Sequence, residues 1–293
     1  MASYNFFIVG ASGLIGSSLF GYIQSHFPHD LTGTYHKKPQ ACLLPFDLAI
    51  DYLPVASNDS KNIVFFCSAM TSLAQVFQQQ QQAYQTNVIA TINVMEDALT
   101  KGWSVQFISS DKVYGDGDGD YKETDQLNPI TVYGKYKAEV EQWLLKNAPE
   151  QMNIFRLSKV FGYGKNDLMA AMVHQLGSHQ SIKCAVDQLI QPTLVDDVTK
   201  VLLKLSLNQT GVWNVANSDI HSRLAMAEMI CKHLNIGMDL LEKVKINDLG
   251  LAEKQPRDCS MNTTKLQSAF VTKFTSFDES VETFIKNNDR HYL

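Results

Sequence analysis

Tyr133 and Lys137 stand four residues apart in the stretch Tyr133-Gly134-Lys135-Tyr136-Lys137, an interval that puts two side chains on one helix face, a single turn from each other. A free tyrosine has a pKa of about 10 and is a poor proton relay near neutral pH. A neighbouring ammonium favours the phenolate and brings the phenol towards working range. Tyr136 is a second phenol, but only Tyr133 has a lysine four residues on. Upstream lies Ser109-Ser110-Asp111-Lys112-Val113-Tyr114-Gly115. A hydroxyl at Ser110, placed beside the phenol, would complete a site able to give or take a proton at an oxygen on carbon. Carbonyl reduction needs that, with hydride supplied from elsewhere.

A hydride source is announced near the start of the chain. Tyr4 to Val9 is a buried-strand run feeding into Gly10-Ala11-Ser12-Gly13-Leu14-Ile15-Gly16, and Ser17 to Ile23 reads as the beginning of a helix. Glycine permits the tight turn and the close approach of backbone to a pyrophosphate, while the helix N-terminus supplies N–H donors and a positive dipole. The spacing is Gly-x-x-Gly-x-x-Gly, and the strand before it and helix after it supply the context that a glycine triplet alone lacks.

These two stretches must be brought together by the elements between them. Leu31–Tyr35 reads as a second strand, and Asn62–Cys67 is a continuous apolar run, as expected of a strand buried on both faces. A helix is expected over Gln85–Lys101, with Val88, Ile89, Ile92, Met95 and Leu99 on one face. The glutamines from Gln78 to Gln82 read as a solvated helix start. Val105–Ile108 is the next strand and delivers Ser109 and Ser110 at its carboxyl end, where ligands sit in doubly wound sheets. A helix over Tyr133–Leu145 and a strand over Met152–Leu157 continue a β-α alternation that argues for a parallel sheet with right-handed crossovers. Beyond Phe161 the pattern loosens. A turn over 162–167 precedes a helix at Leu168–Leu176. Pro192 to Asp197 opens another helix, with an aspartate as its expected N-cap. Gly211–Val215 reads as a strand and Leu224–Leu234 as a helix. The expected architecture is α/β, a Rossmann-type doubly wound parallel sheet with a smaller α/β substrate-binding lid. The expected division is a dinucleotide-binding domain over 1–160, with returning segments from about 182–210. The smaller domain then takes 161–181 and 211–293.

Composition narrows the function classes. With 293 residues, 45% hydrophobic and 19% charged, the chain has the balance of an ordinary globular protein. The formal net charge of −5 gives no basic face for nucleic acid. No apolar run approaches the length of a membrane span, and Met1 leads into the first strand with no signal-peptide pattern, so a cytoplasmic location is expected. Cys42, Cys67, Cys184, Cys231 and Cys259 are dispersed and never Cys-x-x-Cys, which argues against a disulfide framework or zinc site. The histidines show no ligand-like clustering; His174 and His179 read as surface residues. No metal is expected.

The order of the motifs resembles the extended short-chain dehydrogenase/reductases and, within them, the dTDP-4-dehydrorhamnose reductase family. The resemblance runs nearly end to end. It covers Gly10–Gly16, Ile108–Tyr114, Tyr121–Asp125, Pro129 and Tyr133–Lys137. It continues through Arg156–Gly162, Asp187-Gln188, Pro192–Asp197, Gly211–Val215 and Gln255-Pro256-Arg257. It implies Tyr133, Lys137 and Ser110 as the catalytic set. Tyr133 would donate a proton to the carbonyl oxygen, Ser110 would hydrogen-bond that oxygen, and Lys137 would lower the tyrosine pKa and hold the nicotinamide ribose. It implies a cofactor site made by Gly10, Ser12, Gly13, Leu14, Ile15 and Gly16. Asp47 and Leu48 would lie at the adenine, and Ser68, Ala69 and Met70 beside the cofactor, with Asn87 among the contacts. An NAD site usually shows an acid at the end of the second strand. Here that place reads Tyr35-His36-Lys37-Lys38, whose cations would welcome a 2′-phosphate. NADP(H) is therefore the expected cofactor, with NAD(H) as the alternative and a solvated basic loop as the plain reading of His36, Lys37 and Lys38.

A nucleotide-sugar substrate follows from the same resemblance, with Asp111, Lys112, Lys159, Gln188 and Arg257 as candidate contacts; a homodimer is compatible with it. Two departures stand out. The rhamnose-type reductases carry an aromatic where this chain has Lys112 and a tryptophan where it has Lys159. If both ammonium groups face the cleft, a more anionic or differently shaped substrate fits; otherwise they point to solvent or make local ion pairs. Two other functions stay open. Nucleotide-sugar 4,6-dehydratases, and epimerases of the same superfamily, offer one alternative, with Asp111 as acid and Lys112 as base directly after the catalytic hydroxyl. A methionine adenosyltransferase regulatory subunit, which binds dinucleotide and works through a partner enzyme, offers the other.

Overall fold

Phe6 and Ile8 pack on one side of the first strand and Phe7 and Val9 on the other, all four buried. A strand apolar on both faces must be covered on both faces, which is the signature of a parallel sheet between two helical layers. The computed structural model describes residues 3–27, 30–57, 59–162, 167–269 and 273–292. β1 (Tyr4–Val9), β2 (Asp30–Tyr35), β3 (Leu43–Pro45), β4 (Lys61–Phe66), β5 (Ser104–Ser110) and β6 (Met152–Leu157) run parallel in one sheet. β7 (Val160–Phe161), β8 (Ile182–Ala185), β9 (Leu189–Ile190) and β10 (Thr193–Leu194) follow outside it, and β11 (Gly211–Val215) returns to close it beside β6. The sheet has seven strands in the order β11-β6-β5-β4-β1-β2-β3. Its order reverses beside β1, so the chain leaves β1 and β4 toward opposite faces of the sheet and opens the crevice where ligands bind in such sheets.

Helix α1 (Leu14–His26) packs through Leu19 and Ile23 on the Phe6/Ile8 face. On the opposite face the chain forms α2 (Leu73–Gln78), α3 (Gln80–Tyr84), a π-helical turn (Gln85–Ala90) and α4 (Thr91–Thr100), joined there by α5 (Val132–Asn147). The helix expected over 85–101 therefore begins twelve residues earlier, in pieces. The glutamines straddle the break between α2 and α3, exposed, and Gln80 starts α3, in keeping with the solvated helix start expected there. The extra residue held in the π turn shifts the apolar phase, which leaves Ile89 38% exposed while Val88 is fully buried.

After β6 the chain builds a smaller lobe. α6 (Leu168–Gly177) is capped by Asp167, whose side chain accepts from the Ala170 N–H. Of the turn expected over 162–167, Tyr163 to Asn166 lie outside the described residues. α7 (Val195–Asn208) covers the sheet beside α1, through Val198, Val201, Leu202 and Leu205. Its first residue follows directly from β10, with Leu194 as N-cap and no side-chain cap. Asp196 and Asp197 thus lie inside the first turn, two and three residues past the cap position. There they face the positive end of the helix, and Asp197 accepts from the Thr275 N–H. β12 (His221–Ser222) pairs antiparallel with β9, α8 (Arg223–Leu234) follows, and β13 (Leu241–Val244) pairs parallel with β8. α9 (Thr264–Ala269) and α10 (Phe277–Tyr292) complete the chain. Met169, Met172, Leu176, Ile182, Ile230 and Phe277 form the core of the lobe.

The expected division of the chain is corrected in two places. Residues 211–215 belong to the large sheet, and 182–185 belong to the lobe, because each strand pairs where its backbone partner lies. The chain crosses between sheet and lobe more than once.

Candidate active site

The site is assembled at the carboxyl ends of β1, β4, β5 and β6. Residue Gly10 ends β1 in the left-handed region, at φ +87°, where a Cβ would lie 2.8 Å from the Ser68 nitrogen; only glycine lets the turn pass so close to the next strand's exit. The chain then enters α1 with Gly13 as N-cap and no side-chain cap on the first-turn N–H groups. An added Cβ at Gly13 would meet only the Gly10 oxygen, at 3.5 Å. The backbone there faces open cleft with donors unclaimed, and this arrangement fits the pyrophosphate of a dinucleotide.

On the other wall, Ser110 closes β5 and caps the 3₁₀ turn Asp111–Val113. Its Oγ accepts from the Lys112 N–H at 3.2 Å and donates to Asp111 Oδ1 at 2.9 Å. Thr131 caps α5 by accepting from the Gly134 N–H. A Cβ at Gly134 would overlap the Lys112 carbonyl, so the absence of a side chain lets the first turn of α5 lie directly on the turn that carries Asp111. Tyr133 and Lys137 point inward from that turn, 9% and 4% exposed. Gly13, Leu14, Ile15, Ala69, Ser110, Asp111, Lys112, Tyr133, Lys137, Lys159 and Gln188 line one cleft of about 400 Å³.

The charges in this cleft are arranged differently from the simple expectation. Lys137 donates from Nζ to the Ile108 carbonyl at 2.7 Å, and its ammonium lies 4.5 Å from the Phe107 ring centre. Burial pulls its pKa down to about 8, against the opposing pull of Cys67 and Glu141. Burial, and then the Asp111 carboxylate, hold the Tyr133 phenol well above its ordinary range; the cation that opposes them is Lys112. Lys137 Nζ lies 5.7 Å from the Tyr133 ring centre. Lys112 Nζ is fixed by Asp111 Oδ2 and Cys259 Sγ, each at 3.0 Å. Burial works to lower its pKa, but Asp111 and Cys259 together raise it well above the usual lysine range. Burial pushes the Cys259 thiol up to about 12, and it donates to Asp111 Oδ2 at 3.3 Å. Asp111 thus receives hydrogen bonds from Ser110, Lys112 and Cys259, so both of its oxygens are engaged as acceptors.

The family model described as "RmlD substrate binding domain" matches residues 5–290. The chain belongs to this family. Among curated relatives, this RmlD-family chain is 28% identical over 222 residues to a dTDP-4-dehydrorhamnose reductase of Aggregatibacter actinomycetemcomitans, covering 71% of this chain and 75% of the relative. It is 24% identical over 281 residues to a methionine adenosyltransferase 2 subunit beta of Xenopus tropicalis, covering 92% and 84%. Among solved structures, a dTDP-4-dehydrorhamnose reductase from Bacillus anthracis in complex with NADP superposes with a TM-score of 0.81 at 24% identity, over 97% of this chain and 99% of that one. The α/β sheet and its attached lobe are the fold of these proteins.

The remaining predicted residues of the RmlD-family chain fall outside the cleft lining. Gly10, Ser12 and Gly16 shape the turn beneath it. Asn87, in the π turn, brackets the Met70 peptide, accepting from its N–H at 2.8 Å and donating to its carbonyl at 2.9 Å. It thereby fixes the loop of Ser68, Ala69 and Met70. His36, Lys37 and Lys38 are exposed beyond β2. His36 Nε2 lies 3.6 Å from Asp47 Oδ2, and Leu48 is buried beside them. Arg257 is not among the cleft-lining residues: its side chain is 61% exposed and pairs with Asp116 at 3.6 Å, and Asp116 also takes its backbone N–H at 2.8 Å. Neighbouring Gln255 lines the cleft in its place, as does Arg223, which the sequence motifs do not single out. A signal for Arg223 is nonetheless present: it follows Ser222 as the first residue of a helix, where a cation opposes the helix dipole.

Proposed function

We propose that this protein is an NADP(H)-dependent reductase of the keto group of a nucleotide-activated deoxysugar. The observation that carries the reading is the convergence, in one cleft, of the uncapped N-terminus of α1 with Ser110, Tyr133 and Lys137. A bound reduced nicotinamide supplies hydride; the chain supplies the proton and the positioning. Ser110 turns its hydroxyl from Asp111 to the substrate oxygen and orients it. Tyr133, kept protonated by its high pKa, gives its proton to that oxygen as negative charge develops there. Lys112 eases this transfer by stabilising the phenolate left behind. Lys137 holds a ribose hydroxyl from below, and exposed Lys37 and Lys38 suit a 2′-phosphate.

The same geometry weighs against dehydration through Asp111 and Lys112. That chemistry needs a protonated acid and a neutral amine, whereas Asp111 only accepts and Lys112 is held as an ammonium. The test follows NADPH absorbance with purified protein and a panel of nucleotide-linked 4-keto-6-deoxy sugars. Sustained oxidation with one of them, lost in Tyr133→Phe without loss of NADPH binding, is the expected result. Silence across the panel with NADPH bound sinks the reductase reading and turns attention to a regulatory role.

A further inference from the structure

Two buried polar atoms in the cleft wall have no hydrogen-bond partner among the described residues: the Gln188 side-chain Oε1 and the Arg223 Nε. Both residues line the cleft, and each adjoins in sequence one member of the β9–β12 pair Leu189–Ser222. Buried donors and acceptors are ordinarily satisfied, and a lone pair of them facing a cleft marks a place where ligand completes the bonding.

The charge around them leans positive, with Asp111 and Asp167 as the opposing carboxylates. Lys159 lies on the exit of β6, two residues beyond Leu157, and Leu157 is registered with Ser110. Lys112 is likewise two residues beyond Ser110, so the two lysines leave the sheet side by side at the reacting end of the cleft. Lys112 is neutralised by Asp111. Among the described residues, neither Lys159 nor Arg223 has an ion-pair partner. The Lys159 side chain is exposed and lines the cleft, where desolvation and then the like charges of Lys112 and Arg223 lower its pKa against the pull of Asp111 and Asp167. Arg223 also opens α8, so the helix N-terminus adds to the positive field. Two cations lining one cleft without an ion pair among the described residues suit an anionic ligand.

We propose that Lys159 and Arg223 form an anion subsite for a carboxylate carried by the sugar itself, with the Gln188 side-chain amide oxygen accepting from an adjacent sugar hydroxyl. This rests on the nucleotide-sugar reading above and departs from its deoxysugar in one respect: a carboxylate stands where a 6-deoxy sugar carries a methyl group. The placement beside Ser110 favours the sugar over the diphosphate as the source of the charge.

The test is calorimetric binding to the NADPH-loaded protein of UDP, UDP-glucose and UDP-glucuronate, and of their dTDP counterparts. In at least one series the glucuronate ester is expected to bind tenfold or more tighter than the glucose ester. Arg223→Gln and Lys159→Met are each expected to reduce that preference to under threefold, weakening the glucuronate ester more than the glucose ester while NADPH binding is retained. Equal binding of the two esters by the wild type overturns the proposal. So does an equal weakening of the bare nucleoside diphosphate by either variant, which would assign the pair to phosphate. Failure to bind any nucleotide or nucleotide sugar removes the nucleotide-sugar reading itself, and this proposal with it.

Discussion

Arg156 and Glu141 form a buried ion pair beneath the site, and removing one partner is expected to be among the most damaging single changes in the chain. Arg156 Nη2 donates to Glu141 Oε2 at 2.7 Å, with the side chains 3% and 0% exposed. Arg156 Nη1 also donates to Tyr114 Oη at 2.7 Å and to the Glu123 carbonyl at 3.1 Å. The Ser109 hydroxyl donates to Glu141 Oε1. The pair therefore ties α5, which carries Tyr133 and Lys137, to β5 and β6. Arg156→Met leaves a buried carboxylate uncompensated, at a cost of about 3–5 kcal/mol. That is a third or more of a typical domain's stability. At roughly 2–4 °C per kcal/mol for a large domain, the melting temperature should fall by about 8–15 °C. Urea unfolding followed by tryptophan fluorescence suits the measurement, since Trp103 and Trp213 are buried on opposite faces of the sheet. The double variant Glu141→Leu/Arg156→Met removes both charges together and should be less destabilised than the sum of the single variants. A loss below about 1 kcal/mol in Arg156→Met, or strict additivity in the double variant, would refute this role for the pair.

Three further outcomes are expected. Gly134→Ala drives a Cβ into the Lys112 carbonyl; overpacking of this kind costs about 1–3 kcal/mol and should lower kcat as Tyr133 is displaced, so unchanged stability and turnover would contradict the contact. Lys137 has a folded pKa of about 8, below its unfolded value. The cost of burying its ammonium is fully present below pH 8 and is relieved as pH rises towards 10.5, amounting to about 3 kcal/mol. Lys137→Met should accordingly be more stable than the wild type at pH 7 by urea titration, lose that advantage near pH 10, and be inactive throughout. Lys112→Met removes the cation that opposes the raised Tyr133 pKa, so kcat for NADPH oxidation should drop about tenfold with little change in NADPH affinity. Wild-type turnover in that variant would mean that Lys112 does not assist proton transfer from Tyr133.

The chemistry is legible in the sequence where one element carries it. Tyr133 and Lys137 share a helix face by their spacing alone, and Ser110 lies at the end of an apolar run that can only be a strand. What pairs across the fold is less legible. An apolar run such as Gly211–Val215 declares a strand without naming its neighbour, and β6 claims it for the large sheet. Arg257 stands in a promising motif, yet Asp116, far away in sequence, draws it to the surface. Arg223 enters the cleft through the antiparallel pairing of two-residue strands too short to show periodicity. The interplay of Lys112 with Asp111 and Cys259 spans 147 positions and emerges only when the turn after β5 meets the 259 segment.

The late return of β11 to the sheet shapes how the protein is born. A ribosome makes β6 well before it makes residues 211–215, and until those emerge β6 presents an unpaired backbone edge flanked by buried-type side chains. α7, which covers Phe155 and Leu157 on one face, also comes late. A nascent chain halted between these points carries an open, apolar strand of the kind that invites pairing with another molecule. A fragment ending at residue 160 keeps that edge open, and its sheet is whole only when residues 211–215 are added.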